Sequence, residues 1–327
     1  MTRVACLGEC MVELAEQPDG LLRRSFGGDT LNTAIYLARC GVTVDYVTAL
    51  GDDPFSDDMM AAWRNEGVGT RLVLRVRGAL PGLYLIQTDK RGERRFSYWR
   101  DSAPVRRLFS LAEMAGVEAS LADHDLLYLS GITLSLFDPP SRARLFRLLD
   151  AHRARGGRVA FDTNFRPRAW PDPDIARACF ADMLTRTDLL LVGLEDWTLL
   201  HGTADERDVL SALRTLAAAE IVLKRSEHGC ILLDQERHET VVPAHSVTAI
   251  IDTTAAGDSF AAAYIAARAA GCDPVEAARR GHHLAATVIM HRGALIPRSA
   301  MPLVIPNPID QNRWAQSRRP IDMMRHG

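Results

Sequence analysis

Apolar residues along the chain fall into short unbroken runs, separated by longer stretches in which apolar positions recur three and four residues apart. The runs at 4–8, 42–50, 126–130, 159–162, 189–192, 221–224 and 230–234 are too short and too uniformly apolar for surface helices, so they predict strands buried on both faces. The periodic stretches between them predict amphipathic helices. In 55–66, for example, Phe55, Met59, Ala62 and Trp63 share one face and Gly67 supplies the stop. Regular alternation of strand and helix predicts an α/β fold with a mostly parallel central sheet flanked by helices.

Two stretches break this rhythm. Segments 72–77 and 83–100 alternate like exposed antiparallel strands, with Lys90, Arg91, Gly92 and Glu93 as the turn between 82–89 and 94–99. Together with 11–14 they predict a small second sheet. Isolated hairpins are barely stable in water, so one face of it must pack on the core or on a second copy of the chain. No internal repeat or low-complexity tract appears, and the Pro-containing tail reads as a loose extension. The predicted organisation is one domain over 1–302, with lid strands drawn from about 9–26 and 72–101, and an extension at 303–327.

Composition narrows the function. The chain has 327 residues, 47% of them hydrophobic, enough for a large core. Its mean hydropathy of −0.06 fits neither a disordered nor a membrane-spanning protein. With 39 Lys+Arg against 41 Asp+Glu the net charge is −2, which argues against a nucleic-acid partner. Lys90 and Lys224 are the only lysines, so nearly all positive charge is arginine. Cys6, Cys10, Cys40, Cys179, Cys230 and Cys272 show no metal-ligand spacing and no disulfide framework, and the first strand begins without a signal-peptide pattern. A cytoplasmic location is expected.

The strongest chemical signal is Ile250-Ile251-Asp252-Thr253-Thr254-Ala255-Ala256-Gly257-Asp258-Ser259-Phe260, leading into an Ala-rich helix. Small residues at a helix start present unpaired amides at the positive end of the dipole, a ready phosphate site. Asp258 is a carboxylate where an anion should bind. It reads either as a base serving a phosphoryl acceptor or as a first-turn acid favourable to the dipole. A second signal, Phe26-Gly27-Gly28-Asp29-Thr30-Leu31-Asn32-Thr33-Ala34, also opens a helix; its paired glycines permit close ligand approach, although capping accounts equally well for Asp29. No GxxxxGK[ST] loop exists, so phosphate binding of the P-loop kind is excluded, and no GxGxxG turn follows the first strand.

These two motifs in this order resemble the signatures of the ribokinase-like sugar kinases, the PfkB carbohydrate kinase family. Further segments, among them Gly8-Glu9-Cys10-Met11, Pro81-Gly82-Leu83-Tyr84, Ser97-Tyr98-Trp99-Arg100 and Asn164-Phe165-Arg166-Pro167, resemble the branch of that family acting on a keto-deoxy sugar acid. The resemblance runs from about residue 4 to Pro302 and implies a ribokinase-like three-layer core with a small β lid. It implies transfer of the γ-phosphoryl of ATP, with Mg²⁺, to the 6-hydroxyl of 2-keto-3-deoxy-D-gluconate. Asp258 then corresponds to the base and Ala255, Ala256 and Gly257 to the anion hole. Gly27, Gly28, Asp29, Asn32, Tyr84, Tyr98, Arg100, Ile132 and Arg166 correspond to the sugar side, with Arg100 and Arg166 suited to a carboxylate. Asn164, Lys224, Arg225, Ser226, Gly229 and Gly257 correspond to the nucleotide side, with 286–293 near the adenine. Where relatives carry Asn-x-x-Glu for magnesium this chain has Gly193-Leu194-Glu195-Asp196; the asparagine is absent and Asp196 is left as an outer-shell acid. Asp252 and Thr254 correspond to a monovalent cation site, K⁺. Competing readings are a family member for a neutral sugar such as fructose, tagatose or ribose, a non-catalytic sugar-acid sensor, and a dinucleotide-binding dehydrogenase.

Overall fold

A computed structural model of the chain describes residues 2–17, 19–88, 94–203 and 205–303. The expected turn at 90–93 and the extension beyond 303 lie outside them. The strands are β1 (Arg3–Leu7), β2 (Met11–Glu16), β3 (Leu22–Gly27), β4 (Thr43–Gly51), β5 (Val73–Val76), β6 (Leu83–Thr88), β7 (Arg94–Trp99), β8 (Leu126–Ser130), β9 (Arg158–Asp162), β10 (Leu189–Gly193), β11 (Glu220–Lys224), β12 (Cys230–Leu233) and β13 (Glu239–Val242). Nine form the main sheet in the order β13-β12-β11-β10-β9-β8-β1-β4-β5. Neighbours from β11 to β5 are parallel, while β12 and β13 add an antiparallel edge.

Successive residues of the central strands point to opposite faces, and each face has its own core. Ala5, Leu7, Leu127 and Leu129 pack with the helices over Pro139–Ala154, Pro173–Leu184, Leu194–His201 and Glu206–Arg214. Val4, Cys6, Leu126 and Tyr128 pack with those over Asp29–Arg39, Pro54–Asn65, Ala256–Ala269 and Pro274–Ile289. Strands buried on both sides explain the unbroken apolar runs.

The second sheet has the order β3-β2-β6-β7. Its pairing shows where the lid expectation needs correction. Segment 72–77 supplies β5, which pairs with β4 at the edge of the main sheet; an edge strand buried on one face alternates much as a lid strand does. Segment 11–14 joins this sheet as expected, within β2, which pairs antiparallel with β3 and parallel with β6. In the helix over Pro54–Asn65, Met59 and Trp63 are buried as expected, whereas Phe55 is exposed, beneath the Arg24 guanidinium at 5.4 Å.

Where the strand order reverses, β1 is flanked by β8 and β4, and parallel sheets leave a ligand crevice at the carboxyl ends of such strands. Gly8, Ser130, Asp162, Gly193 and Lys224 all stand at those ends. The lid sheet rises from the same rim.

Candidate active site

The helix over Ala256–Ala269 starts one turn earlier than its Ala-rich stretch suggests, which puts Gly257 and Asp258 in its first turn. Its cap residue, Ala255, has φ 61, a left-handed conformation that disfavours a side chain by about 1–2 kcal/mol. The turn held there aims the loop at the crevice. Asp252 fixes the root of the loop: its Oδ1 accepts from the Thr254 amide (3.0 Å) and hydroxyl (2.6 Å), and its Oδ2 from the Gly293 amide (2.8 Å). Of the three expected anion-hole amides, that of Ala256 already closes a turn on the Thr253 carbonyl at 3.2 Å.

Asp258 is half-buried against the helix over Asp29–Arg39. Asn32 Nδ2 donates to its Oδ2 at 2.8 Å. Asp29, on the same helix, accepts at Oδ2 from Ser130 Oγ (2.5 Å) and Asn164 Nδ2 (2.8 Å). Nearby, Asp162 at the end of β9 accepts from Lys224 Nζ at 2.7 Å. Three carboxylates thus share one crevice with a single lysine. Burial first, and then the neighbouring Asp29 and Asp162, push the Asp258 carboxyl up to about 8 against the pull of Asn32 and Lys224. Asp29 is raised as well, by burial and by Asp162. The two carboxyls titrate as a pair.

A cavity of about 390 Å³ opens onto this cluster; Gly27, Gly28, Asp29, Asn32, Tyr84, Tyr98, Ile132, Asn164, Arg166 and Asp258 are among the residues lining it. A second, of about 830 Å³, is lined by Arg225, Ser226 and Gly229 and by Phe260, His282, Ala286 and Ile289. The two meet at Arg166, Asp196, Lys224, Thr253, Ala256 and Gly257, which border both. Asp196 is half-buried there, bonded to Thr163 Oγ1 (2.9 Å) and to Arg166 Nη1 (3.3 Å), and loss of solvent raises its carboxyl.

Two residues lie elsewhere than expected. Asn164 borders the inner cavity and not the outer one, because its amide is spent on Asp29. Arg100 borders neither, because its guanidinium is paired with the buried Glu9. Conversely, Asp162 was legible only as the end of a strand. Its signal is a carboxylate closing an apolar run at the carboxyl end of a parallel strand. Phe96, stacked at 6.3 Å on Tyr98, also belongs to the cleft wall, and Glu13 stands beside that wall, accepting from the Tyr84 hydroxyl.

Comparison with known proteins agrees with this geometry. Residues 1–301 match the family model described as pfkB family carbohydrate kinase. The chain is 45% identical over 305 residues to the 2-dehydro-3-deoxygluconokinase of Dickeya dadantii (strain 3937), covering 91% of this chain and 98% of that protein. It is 44% identical over 306 residues to the 2-dehydro-3-deoxygluconokinase of Escherichia coli (strain K12), covering 92% and 99%. Among solved structures it is similar to a fructokinase with bound ATP from Xylella fastidiosa, with a TM-score of 0.79 and 25% identity, covering 92% of this chain and 96% of that one.

The Asp258 environment predicts a pH-dependent cost to stability. A carboxyl whose pKa is raised on folding contributes stability that is present below the unfolded value of about 4 and lost as pH rises through the folded value. Asp258→Asn should therefore raise Tm at pH 8, by about 2–4 °C for each kcal/mol of relieved repulsion, with a smaller gain at pH 5. Thermal unfolding of the ligand-free proteins checks this; equal Tm values at pH 8 would contradict it.

Proposed function

The chain belongs to the pfkB family of carbohydrate kinases, and we propose that its acceptor is 2-keto-3-deoxy-D-gluconate, phosphorylated by ATP at the 6-hydroxyl to give 2-keto-3-deoxy-6-phosphogluconate. One observation carries the reading: two cavities of sugar and nucleotide size meet at Lys224 and Gly257, with Asp258 lining the inner one beside that junction. The names of the relatives identical at 44–45% support the choice of acceptor.

In this reading Asp258 takes the proton from the 6-hydroxyl as its oxygen bonds to the γ-phosphorus and the bond from that phosphorus to the β-phosphate oxygen breaks, releasing ADP. The Gly257 amide and the helix dipole face the charge carried by the transferring group. Lys224 needs only to exchange one acidic partner, Asp162, for the phosphates. Little covalent work falls to the protein, so positioning and electrostatics carry the rate. Asp196 at the junction and Asp162 on the inner cavity wall offer carboxylate oxygens that fit a hydrated Mg²⁺ arriving with ATP, which supplies charge neutralisation when bound. Arg166, more than half exposed and held by Nη1 contacts to the Phe165 carbonyl at 2.9 Å and to Asp196 at 3.3 Å, can turn to the acid end of the sugar by giving up those two contacts.

Two finer points extend the proposal. Asp252, buried at the root of the anion loop, fits with Thr254 a K⁺ ion bound nearby; replacing K⁺ by choline at constant ionic strength should slow turnover, and an unchanged rate would remove the ion. The cleft-side face of the lid carries Phe96 and Tyr98 exposed, which suits pairing with the lid of a second chain. Sedimentation at micromolar concentration should then give a dimer, and a monomer would contradict it.

The substrate assignment is tested by an ATP-consumption assay with keto-deoxy sugar acids against fructose, tagatose and ribose. Turnover is expected with the acid. Arg166→Ala should raise KM for the acid with KM for ATP little changed, and Asp258→Asn should lower kcat about 10²–10⁴-fold. Because a protonated Asp258 accepts no proton, kcat/KM should fall as pH drops through about 8. Preference for a neutral sugar would refute the acceptor, and wild-type turnover by Asp258→Asn would refute the base.

A further inference from the structure

The chain passes between core and lid four times: through 8–10, Gly28, 77–82 and 100–103. All four passages meet at Glu9. It stands on the first, 3% exposed, and pairs with Arg100 on the fourth. A Cβ placed on Gly28, the second passage, would lie 2.1 Å from the Glu9 carbonyl oxygen. A Cβ on Gly82, the end of the third, would lie 3.0 Å from Glu9 Oε1 and 3.2 Å from Arg100 Cβ. A side chain at Gly28 would strike the Glu9 main chain, and one at Gly82 would crowd the Glu9 and Arg100 side chains, so both backbones lie close against Glu9.

The Glu9 carboxylate and the Arg100 guanidinium form a close, buried ion pair, with the charge of Arg106 also felt at the carboxylate. Arg100 Nε is buried and has no hydrogen-bond partner among the described residues, so the guanidinium keeps an unused donor. Its Cζ lies 5.9 Å from the centroid of Tyr98, a residue of the inner cavity wall. Arg100 therefore sits one side chain away from the cleft, at the hinge, with a donor to spare.

We propose that Glu9 is a positioning residue: it holds Arg100 at the lid hinge so that the spare edge of the guanidinium is delivered to the substrate carboxylate when the lid closes. Glu9 touches no substrate itself. A fixed guanidinium gives up less freedom on binding than a mobile one, so the benefit falls on acceptor affinity. The proposal rests on the sugar-acid reading above and adds to it how the hinge selects an acid.

The test is steady-state kinetics of the wild type, Glu9→Gln, Arg100→Met and the double variant, with the keto-deoxy sugar acid and ATP varied in turn. Glu9→Gln should raise KM for the acid at least tenfold, with kcat and KM for ATP within threefold of wild type. In the Arg100→Met background the same change should have less than a twofold further effect, because Glu9 acts through Arg100. Should Glu9→Gln fail to fold, Glu9→Asp, which withdraws the carboxylate by one methylene, should show the same loss confined to KM. Absence of wild-type turnover on the acid would overturn the acceptor proposed above. With turnover present, an unchanged KM in the folded Glu9 variant, or additive effects in the double variant, would overturn the role of Glu9 alone.

Discussion

Asp29, Asp162 and Asp258 gather, half-buried or buried, in one crevice that offers them a single lysine, and much of the architecture around the crevice serves to tolerate that arrangement. Carboxylates in a low-dielectric site repel and resist ionisation. Here each has its own neutral or cationic partner: Ser130 and Asn164 for Asp29, Lys224 for Asp162, Asn32 for Asp258. These partners come from β8, the loop after β9, β11 and the helix over Asp29–Arg39, so the sheet order and the cluster depend on each other. A carboxyl held near neutrality is suited to taking a proton from a hydroxyl at ordinary pH. Stability is given up where function needs the charge.

Most of the scaffold was legible in the sequence because strands buried on both faces write themselves as apolar runs. The seven expected core strands all appear, with ends shifted by one residue at most. What stayed hidden was pairing. Segment 72–77 alternates because one of its faces meets solvent, and alternation alone does not say which sheet it joins. The β13 strand, exposed along most of its length, left no apolar run.

The site divides in the same way. Local motifs showed Asp258, Gly27, Gly28 and Lys224, because each stands in a short stretch whose residue types already point to a ligand. Asp162 and Glu9 depend on partners 62 and 91 positions away, Lys224 and Arg100. For Asp162 the register decides: β9, β10 and β11 pair in parallel so that Asp162 and Lys224 finish at the same rim. Arg100 illustrates the converse. Its motif pointed to the sugar, while its position in the structure is at the hinge, facing a carboxylate the protein itself supplies.

The central claim is that Asp258 serves a primary hydroxyl on an acidic sugar. Proton-coupled ³¹P NMR of the product formed from 2-keto-3-deoxy-D-gluconate and ATP tests it most directly. A phosphate ester split by the two methylene protons of C6 is the predicted result. An ester coupled to a single proton, or ATP consumed with no sugar phosphate formed, would contradict it.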